Sequence, residues 1–141
     1  MSKVSKQVLV MRKEFIVDGK KITPRKGKYI AQGAHAAMLA LLNEMSEESS
    51  SKGSTFTLKT KAGSAIHEWI TGRFTKITTC VNTLEELMVV YNQAKEKGLP
   101  CALITDAGNT EFNGEPTITC CAIGPAWDNE IDPITGGLNL F

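Results

Sequence analysis

Short apolar runs alternate along the chain with stretches where apolar residues recur every three or four positions, and this pattern predicts the elements. Residues 6–12 (KQVLVMR) suit a buried strand. Helical periodicity begins near Lys26–Lys28 and continues to about Glu44. Residues 64–71 predict a short helix, with Ile66, Trp69 and Ile70 at i, i+3 and i+4 and Gly72 ending it. Residues 75–81 (TKITTCV) are β-branched and strand-like. Thr83 to Glu86 form a capping box, in which the hydroxyl accepts from an early amide while Glu86 reaches back. Leu84, Leu87, Met88, Tyr91 and Ala94 then make a buried stripe, stopped by Gly98 and Pro100. Residues 101–105 and 117–123 predict two further strands, the last ended by Gly124-Pro125.

Residues 46–64 break this rhythm. Ser46 to Ser54 is linker-like, and Thr55–Thr60 alternates in the manner of a small extra hairpin strand. The tail from Asp132 to Phe141 carries two turn signals and apolar side chains able to dock on the body. The order β-α-α-β-α-β-β predicts an α/β sandwich, a short sheet between helices, mostly parallel with at least one antiparallel partner. A chain of 141 residues is expected to form one domain, 1–141, with an insertion or linker at 46–64. Ligands of such sheets favour the carboxyl ends of strands, where Asp106 falls.

Composition narrows the function. No apolar run approaches the ~20 residues of a membrane span, and residues 1–10 lack the apolar core of a secretory signal. A cytoplasmic location is therefore expected. Net charge is +1, but residues 1–28 carry +7 and the remainder −6. A basic patch on a near-neutral protein attracts phosphate; a solvated lysine-rich edge that discourages strand aggregation is the plainer alternative. Cys80, Cys101, Cys120 and Cys121 form no Cys-x-x-Cys pair and lie far from both histidines, so they are expected to be buried structural thiols and no metal site is expected.

The candidate chemistry starts on the first helix. At ~100° per residue, Lys28, Gln32 and His35 fall within about 60° of one another. Ile30, Ala34, Ala37, Met38, Leu41 and Leu42 point elsewhere, so the helix is expected to bury that apolar face and to present ammonium, amide and imidazole to an anionic ligand. Lys26 and Lys28 sit in the first turn, where the helix end is already partly positive, an arrangement that an anion would stabilise. Asp106-Ala-Gly-Asn-Thr110 is a sharp turn holding a carboxylate and a hydroxyl. Asp106 there either closes an Asx-turn or orients water and accepts its proton. Thr117 and Thr119 share one strand face and either line the same pocket or simply favour the strand. No nucleophile elbow, P-loop or dinucleotide fingerprint is present.

Three segments together resemble the type 2 peptidyl-tRNA hydrolase family: Arg25-Lys-Gly-Lys28-Tyr-Ile-Ala-Gln32-Gly-Ala-His35-Ala, Gly98-Leu-Pro-Cys-Ala-Leu-Ile-Thr-Asp106-Ala-Gly-Asn-Thr110, and Thr117-Ile-Thr119-Cys-Cys-Ala-Ile-Gly124-Pro125 with the ending Asp132-Pro-Ile-Thr-Gly-Gly-Leu. The resemblance spans nearly the whole chain except residues 46–64. It implies an ester hydrolase acting on peptidyl-tRNA, a three-layer α/β/α fold around a four-stranded mixed sheet, no cofactor or metal, and a homodimer. It implies functional roles for Lys28, Gln32, Asp106 and Thr110, and for the hydroxyls of Thr117 and Thr119. His35 is expected to support the site without being the base, and Arg25, Lys26, Lys20 and Lys21 to grip tRNA. The loop Glu111-Phe-Asn-Gly-Glu-Pro116 departs from the family's proline-glycine turn. The alternatives are a non-catalytic tRNA- or RNA-binding module and a protein-interaction adaptor of the same fold.

Overall fold

A computed structural model describes residues 3–141; the first two positions of the domain expected over 1–141 lie outside the described residues. The chain runs β1 (Ser5–Arg12), β2 (Phe15–Val17), β3 (Lys20–Ile22), α1 (Lys26–Leu42), β4 (Ser46–Ser50), β5 (Gly53–Thr57), α2 (Ala65–Thr71), β6 (Lys76–Val81), α3 (Leu84–Glu96), β7 (Cys101–Asp106), β8 (Thr117–Trp127), α4 (Asp128–Thr135) and β9 (Asn139–Leu140). Five strands form the main sheet in the order β7-β8-β1-β6-β9, while β2-β3 and β4-β5 are separate hairpins.

The sheet is mixed, but it has five strands rather than the expected four, and it is mainly antiparallel rather than mainly parallel. Only β1 and β6 run parallel; β1-β8, β7-β8 and β6-β9 are antiparallel. Connection length explains the difference. The long excursion through α1 and α2 returns β6 parallel to β1, whereas the loop 107–116 simply turns β7 back into β8. The tail docks, as its apolar residues suggest, by adding β9 to the sheet edge and burying Ile131 and Ile134 of α4.

Side chains alternate across β1, so both faces of the sheet are packed. Val8 and Val10 join Leu87, Val90 and Ala94 of α3, Ile131 and Ile134 of α4, and Cys121 and Ile123 of β8. Met11 and Leu9 join Ala36 and Ala40 of α1, with Ala102, Ile104, Cys120 and Ala122. Cys80, Cys120 and Cys121 are buried, Cys101 is half-buried, and all four are free. Burial pushes the Cys120 thiol up to about 11 and raises that of Cys121 further, which keeps both protonated and inert.

Three local expectations are corrected. β8 does not end at Gly124-Pro125 but runs on to Trp127, because the β1-β8 register shifts between Lys6 and Val8 and takes up the proline, which has no N–H for the ladder. Residues 46–57 form a closed hairpin: Ser46–Ser50 is a strand instead of a linker, and the hairpin strand expected over Thr55–Thr60 lies at Gly53–Thr57. The buried residues of α1 are Gln32, Gly33, Ala36 and Ala40, not the large apolar ones: Ile30, Met38 and Leu42 are exposed. Small residues let the helix lie close over the sheet, where a Cβ on Gly33 would stand 3.5 Å from the Leu9 side chain. The α3 cap forms as expected through Thr83, whose Oγ1 accepts from the Glu86 N–H at 3.2 Å; the Glu86 carboxylate meets the same hydroxyl rather than the Thr83 backbone.

Candidate active site

The amino-terminal half of α1 lies beside the carboxyl end of β7, and this brings together residues 78 positions apart in the chain. Lys28 Nζ donates to Asp106 Oδ1 at 2.7 Å and to Thr110 Oγ1 at 3.0 Å. One turn along, Gln32 Nε2 donates to the same Oδ1 at 3.1 Å. The other carboxylate oxygen, Oδ2, accepts the Gly108 N–H at 2.8 Å. The side chains of Lys28 and Asp106 are largely shielded from solvent. Among the described residues the pair forms a compact ion pair with one flank open through the exposed Thr110.

Burial pushes the Asp106 carboxyl up, but the Lys28 hydrogen bond, the Gly108 N–H, the Lys28 charge and the Gln32 amide together outweigh it and hold it below its ordinary value. Asp106 closes an Asx-type turn through Oδ2, while Oδ1 accepts from the Lys28 ammonium and the Gln32 amide. Gly108 makes this possible. Its φ is +85°, and a Cβ there would collide with the Glu115 carbonyl oxygen.

The structure distinguishes the two later threonines. Thr119 is buried, and its Oγ1 donates to Gln32 Oε1 at 2.6 Å. Thr117 pairs opposite Asp106 in the strand register, but its hydroxyl donates to its own loop, at Glu115 O, 2.8 Å away. His35 is exposed on α1 and is not among the residues that the site's hydrogen bonds connect. Lys20, Lys21, Arg25 and Lys26 are all exposed near the amino end of α1. Lys20 and Lys21 lie on the β2-β3 hairpin, and Lys21 Nζ is 3.8 Å from Glu14.

Several supporting residues are not visible in the sequence pattern. Arg25 Nε donates to Glu111 Oε1 at 2.7 Å, and the Arg25 backbone N–H donates to Oε2 at 3.2 Å. The Arg25 hydrogen bond, over a smaller opposing cost of burial, holds the Glu111 carboxyl below its ordinary value. The loop 107–116 is anchored beneath by Phe112, which is buried against Phe15 with ring centroids 4.9 Å apart. Lys28 Nζ stands 5.6 Å from the Phe112 ring centroid. At the loop's outer end Asn113 Nδ2 donates to Asp18 Oδ2 at 2.7 Å. The one sequence signal for this support is the Asp18-Gly19 pair, which closes β2-β3 with both residues at positive φ.

A family model, Peptidyl-tRNA hydrolase PTH2, matches residues 5–141. Curated proteins named peptidyl-tRNA hydrolase are similar across most of their length. One from Methanocaldococcus jannaschii is 41% identical over 117 residues, covering 82% of this chain and 88% of the relative. One from Sulfolobus acidocaldarius is 40% identical over the same number, with the same coverage. One from Saccharolobus islandicus is 37% identical over 137 residues, covering 96% of this chain and 98% of the relative.

Proposed function

This chain belongs to the peptidyl-tRNA hydrolase PTH2 family, and we propose that it works through the Lys28–Asp106 pair. It hydrolyses the ester bond between peptide and tRNA, returning free tRNA and peptide. Neither the non-catalytic binding module nor the adaptor is favoured by these relatives.

A water molecule held between the Asp106 carboxylate and the Thr110 hydroxyl attacks the ester carbonyl carbon, and its proton passes to Asp106. Lys28 and the Gln32 amide donate to the carbonyl oxygen as it gains charge. The tetrahedral intermediate then collapses, the bond to the ribose oxygen breaks, and the proton returns to that oxygen. Asp106 is a weak base while Lys28 holds it, because that hydrogen bond does most to lower its proton affinity. When Lys28 turns toward the oxyanion, Asp106 loses this partner and becomes more basic at the step that needs a base. Thr119 fixes the Gln32 amide and Thr117 borders the cleft, while His35, exposed on α1, takes no proton in this scheme.

Arg25, Lys26, Lys20 and Lys21 grip the tRNA backbone. We further assign one domain over residues 1–141, with three layers around the central sheet; helices packed on both sheet faces support this. A cytoplasmic location and a homodimer belong to the same proposal. Among the described residues no helix is long and apolar enough to cross a membrane. The observation that carries the mechanism is the convergence of Lys28, Gln32, Thr110 and Gly108 on one carboxylate. Release of label from an N-blocked aminoacyl-tRNA tests it: turnover should fall sharply in both Lys28→Ala and Asp106→Asn. Full activity in both would remove these residues from the mechanism.

A further inference from the structure

The flank of α1 facing away from Lys28 is an apolar groove of about 530 Å³, lined by Ile30, Ala34, Ala37, Met38 and Leu41, with Trp69, Phe74 and Phe141 on the opposite side. Ile30 is 73% exposed, Met38 53%, Phe74 49% and Phe141 51%. At roughly 200 Å² for a large side chain, these four present on the order of 400 Å² of apolar surface, the scale of the largest patches on ordinary monomers. A second cavity joins it at the amino end of α1, sharing Tyr29, Ile30 and Phe141 and edged by Lys13 and Lys26. No acidic residue lines either one.

The β4-β5 hairpin follows α1 and precedes α2 in the chain, the two helices that wall the groove. Every residue of both strands is exposed. The hydrogen bonds of the strands run between them, within a two-stranded sheet of their own. A hairpin in this position is marginal alone and gains by packing on something. Its one large apolar side chain is Phe56, 58% exposed, directly opposite Glu47 and on the same face of the hairpin.

We propose that the β4-β5 hairpin is an arm that seats on the second cavity of another copy of this chain. The proposal rests on the homodimer reading above and adds where, and by what, the two copies are held. With the two-fold axis perpendicular to the helices, two α1 flanks meet antiparallel, and Ala34 and Ala37 allow close approach. That symmetry carries the carboxyl end of each α1, and the hairpin beyond it, to the amino end of the partner helix. Phe56 then meets the apolar floor of Tyr29, Ile30 and Phe141, and Glu47, on the same face of the hairpin, meets Lys13. Area points the same way. The groove alone falls short of the ~800 Å² per partner of a stable interface, and the arm, about 17 Å long, supplies further contact with charge complementarity that a flat α1-α1 contact lacks.

Sedimentation equilibrium on the full chain tests this. The wild type should be dimeric at micromolar concentration, and Met38→Asp should be monomeric. Phe56→Ala and Glu47→Lys should each raise the dimer dissociation constant at least tenfold. Adding Lys13→Glu to Glu47→Lys should recover part of that loss. Since the arm is fully exposed, the far-ultraviolet circular dichroism should stay unchanged in the hairpin variants. A dimer whose dissociation constant ignores the hairpin variants overturns the arm and leaves the homodimer standing. A wild type that stays monomeric overturns both and leaves hydrolysis untouched, and charge reversal without recovery by Lys13→Glu overturns the seat.

Discussion

Thr119 Oγ1 donates to Gln32 Oε1 at 2.6 Å, and that bond decides which end of the Gln32 amide faces Asp106. An amide can present either oxygen or nitrogen to a neighbour. With its oxygen taken by a buried hydroxyl, Gln32 has its nitrogen left for the carboxylate and for the oxyanion that forms beside it. A carboxamide oxygen turned toward Asp106 would repel it.

Thr119→Val should therefore lower kcat about tenfold or more, from the ~1–3 kcal/mol cost of leaving the Gln32 oxygen unsatisfied, with little change in KM. Thr119→Ser should retain most activity, because the hydroxyl is what matters. Steady-state kinetics on peptidyl-tRNA separate the two; equal losses in both variants would show that packing rather than amide orientation is at stake.

Lys28→Ala should reduce kcat by about 10²–10³, the range for removal of one preorganised oxyanion donor. Lys28→Arg should not restore it fully, since a planar guanidinium cannot place one N–H on Asp106 and another on Thr110 with the same reach. The comparison is made at saturating substrate, so that any loss of phosphate attraction appears in KM instead.

The Asp106 carboxyl is held below its ordinary value in the folded protein. A group with a depressed folded value stabilises the fold at pH above its unfolded value, near 3.9, and loses that contribution as pH falls through the folded value. The Tm difference between wild type and Asp106→Asn should therefore be constant near neutrality and shrink on acidification below about pH 4. Thermal melts across pH 2 to 7 measure it, and a difference independent of pH would mean that the ion pair adds no net stability.

Glu111 already occupies Arg25, one of the cations assigned to tRNA. Glu111→Gln removes the competing charge and should lower KM for peptidyl-tRNA a few-fold. It should also steepen the dependence of KM on salt by up to one phosphate contact, since Arg25 becomes free to displace a counterion. A rise in KM, with kcat falling beside it, would instead mark Glu111 as a brace for the loop.

The sequence showed the site more clearly than the sheet. Lys28 and Gln32 share a helix face by simple periodicity, and the turn after β7 is written in Asp106, Gly108 and Thr110, so both halves of the cluster were legible from local chemistry. Which strand neighbours which is a long-range property, and neither the antiparallel majority nor β9 leaves a local mark. The burial of α1 departs from its apolar pattern for a related reason. The apolar periodicity puts Ile30 and Met38 on the core face, but the sheet buries Gln32, Gly33, Ala36 and Ala40 instead, and the larger residues line an open groove. The β2-β3 hairpin has a local signal in Asp18-Gly19, set among lysines that mask its strand pattern, and the Phe15–Phe112 contact beneath the active loop depends on it.

That loop yields the most stringent prediction. Gly108 has φ of +85° and its N–H is the partner of Asp106 Oδ2. Gly108→Ala adds two separate penalties: roughly 1–3 kcal/mol for a left-handed backbone on a residue with a Cβ, and a clash with the Glu115 carbonyl that can be relieved only by moving backbone. The movement withdraws the N–H from Asp106, swings Thr110 away from Lys28, and strains the seat of Phe112, since Gly114 N–H is bonded to Gly108 O at 2.8 Å. Both stability and kcat should therefore fall together, unlike Asp106→Asn, which deletes charge while leaving the loop's path intact. Urea unfolding and turnover measured on the same two variants distinguish these effects: Gly108→Ala should shift the unfolding midpoint down by more than Asp106→Asn does. An alanine variant of wild-type stability and rate would show that the Oδ2 hydrogen bond has no part in holding the carboxylate in place.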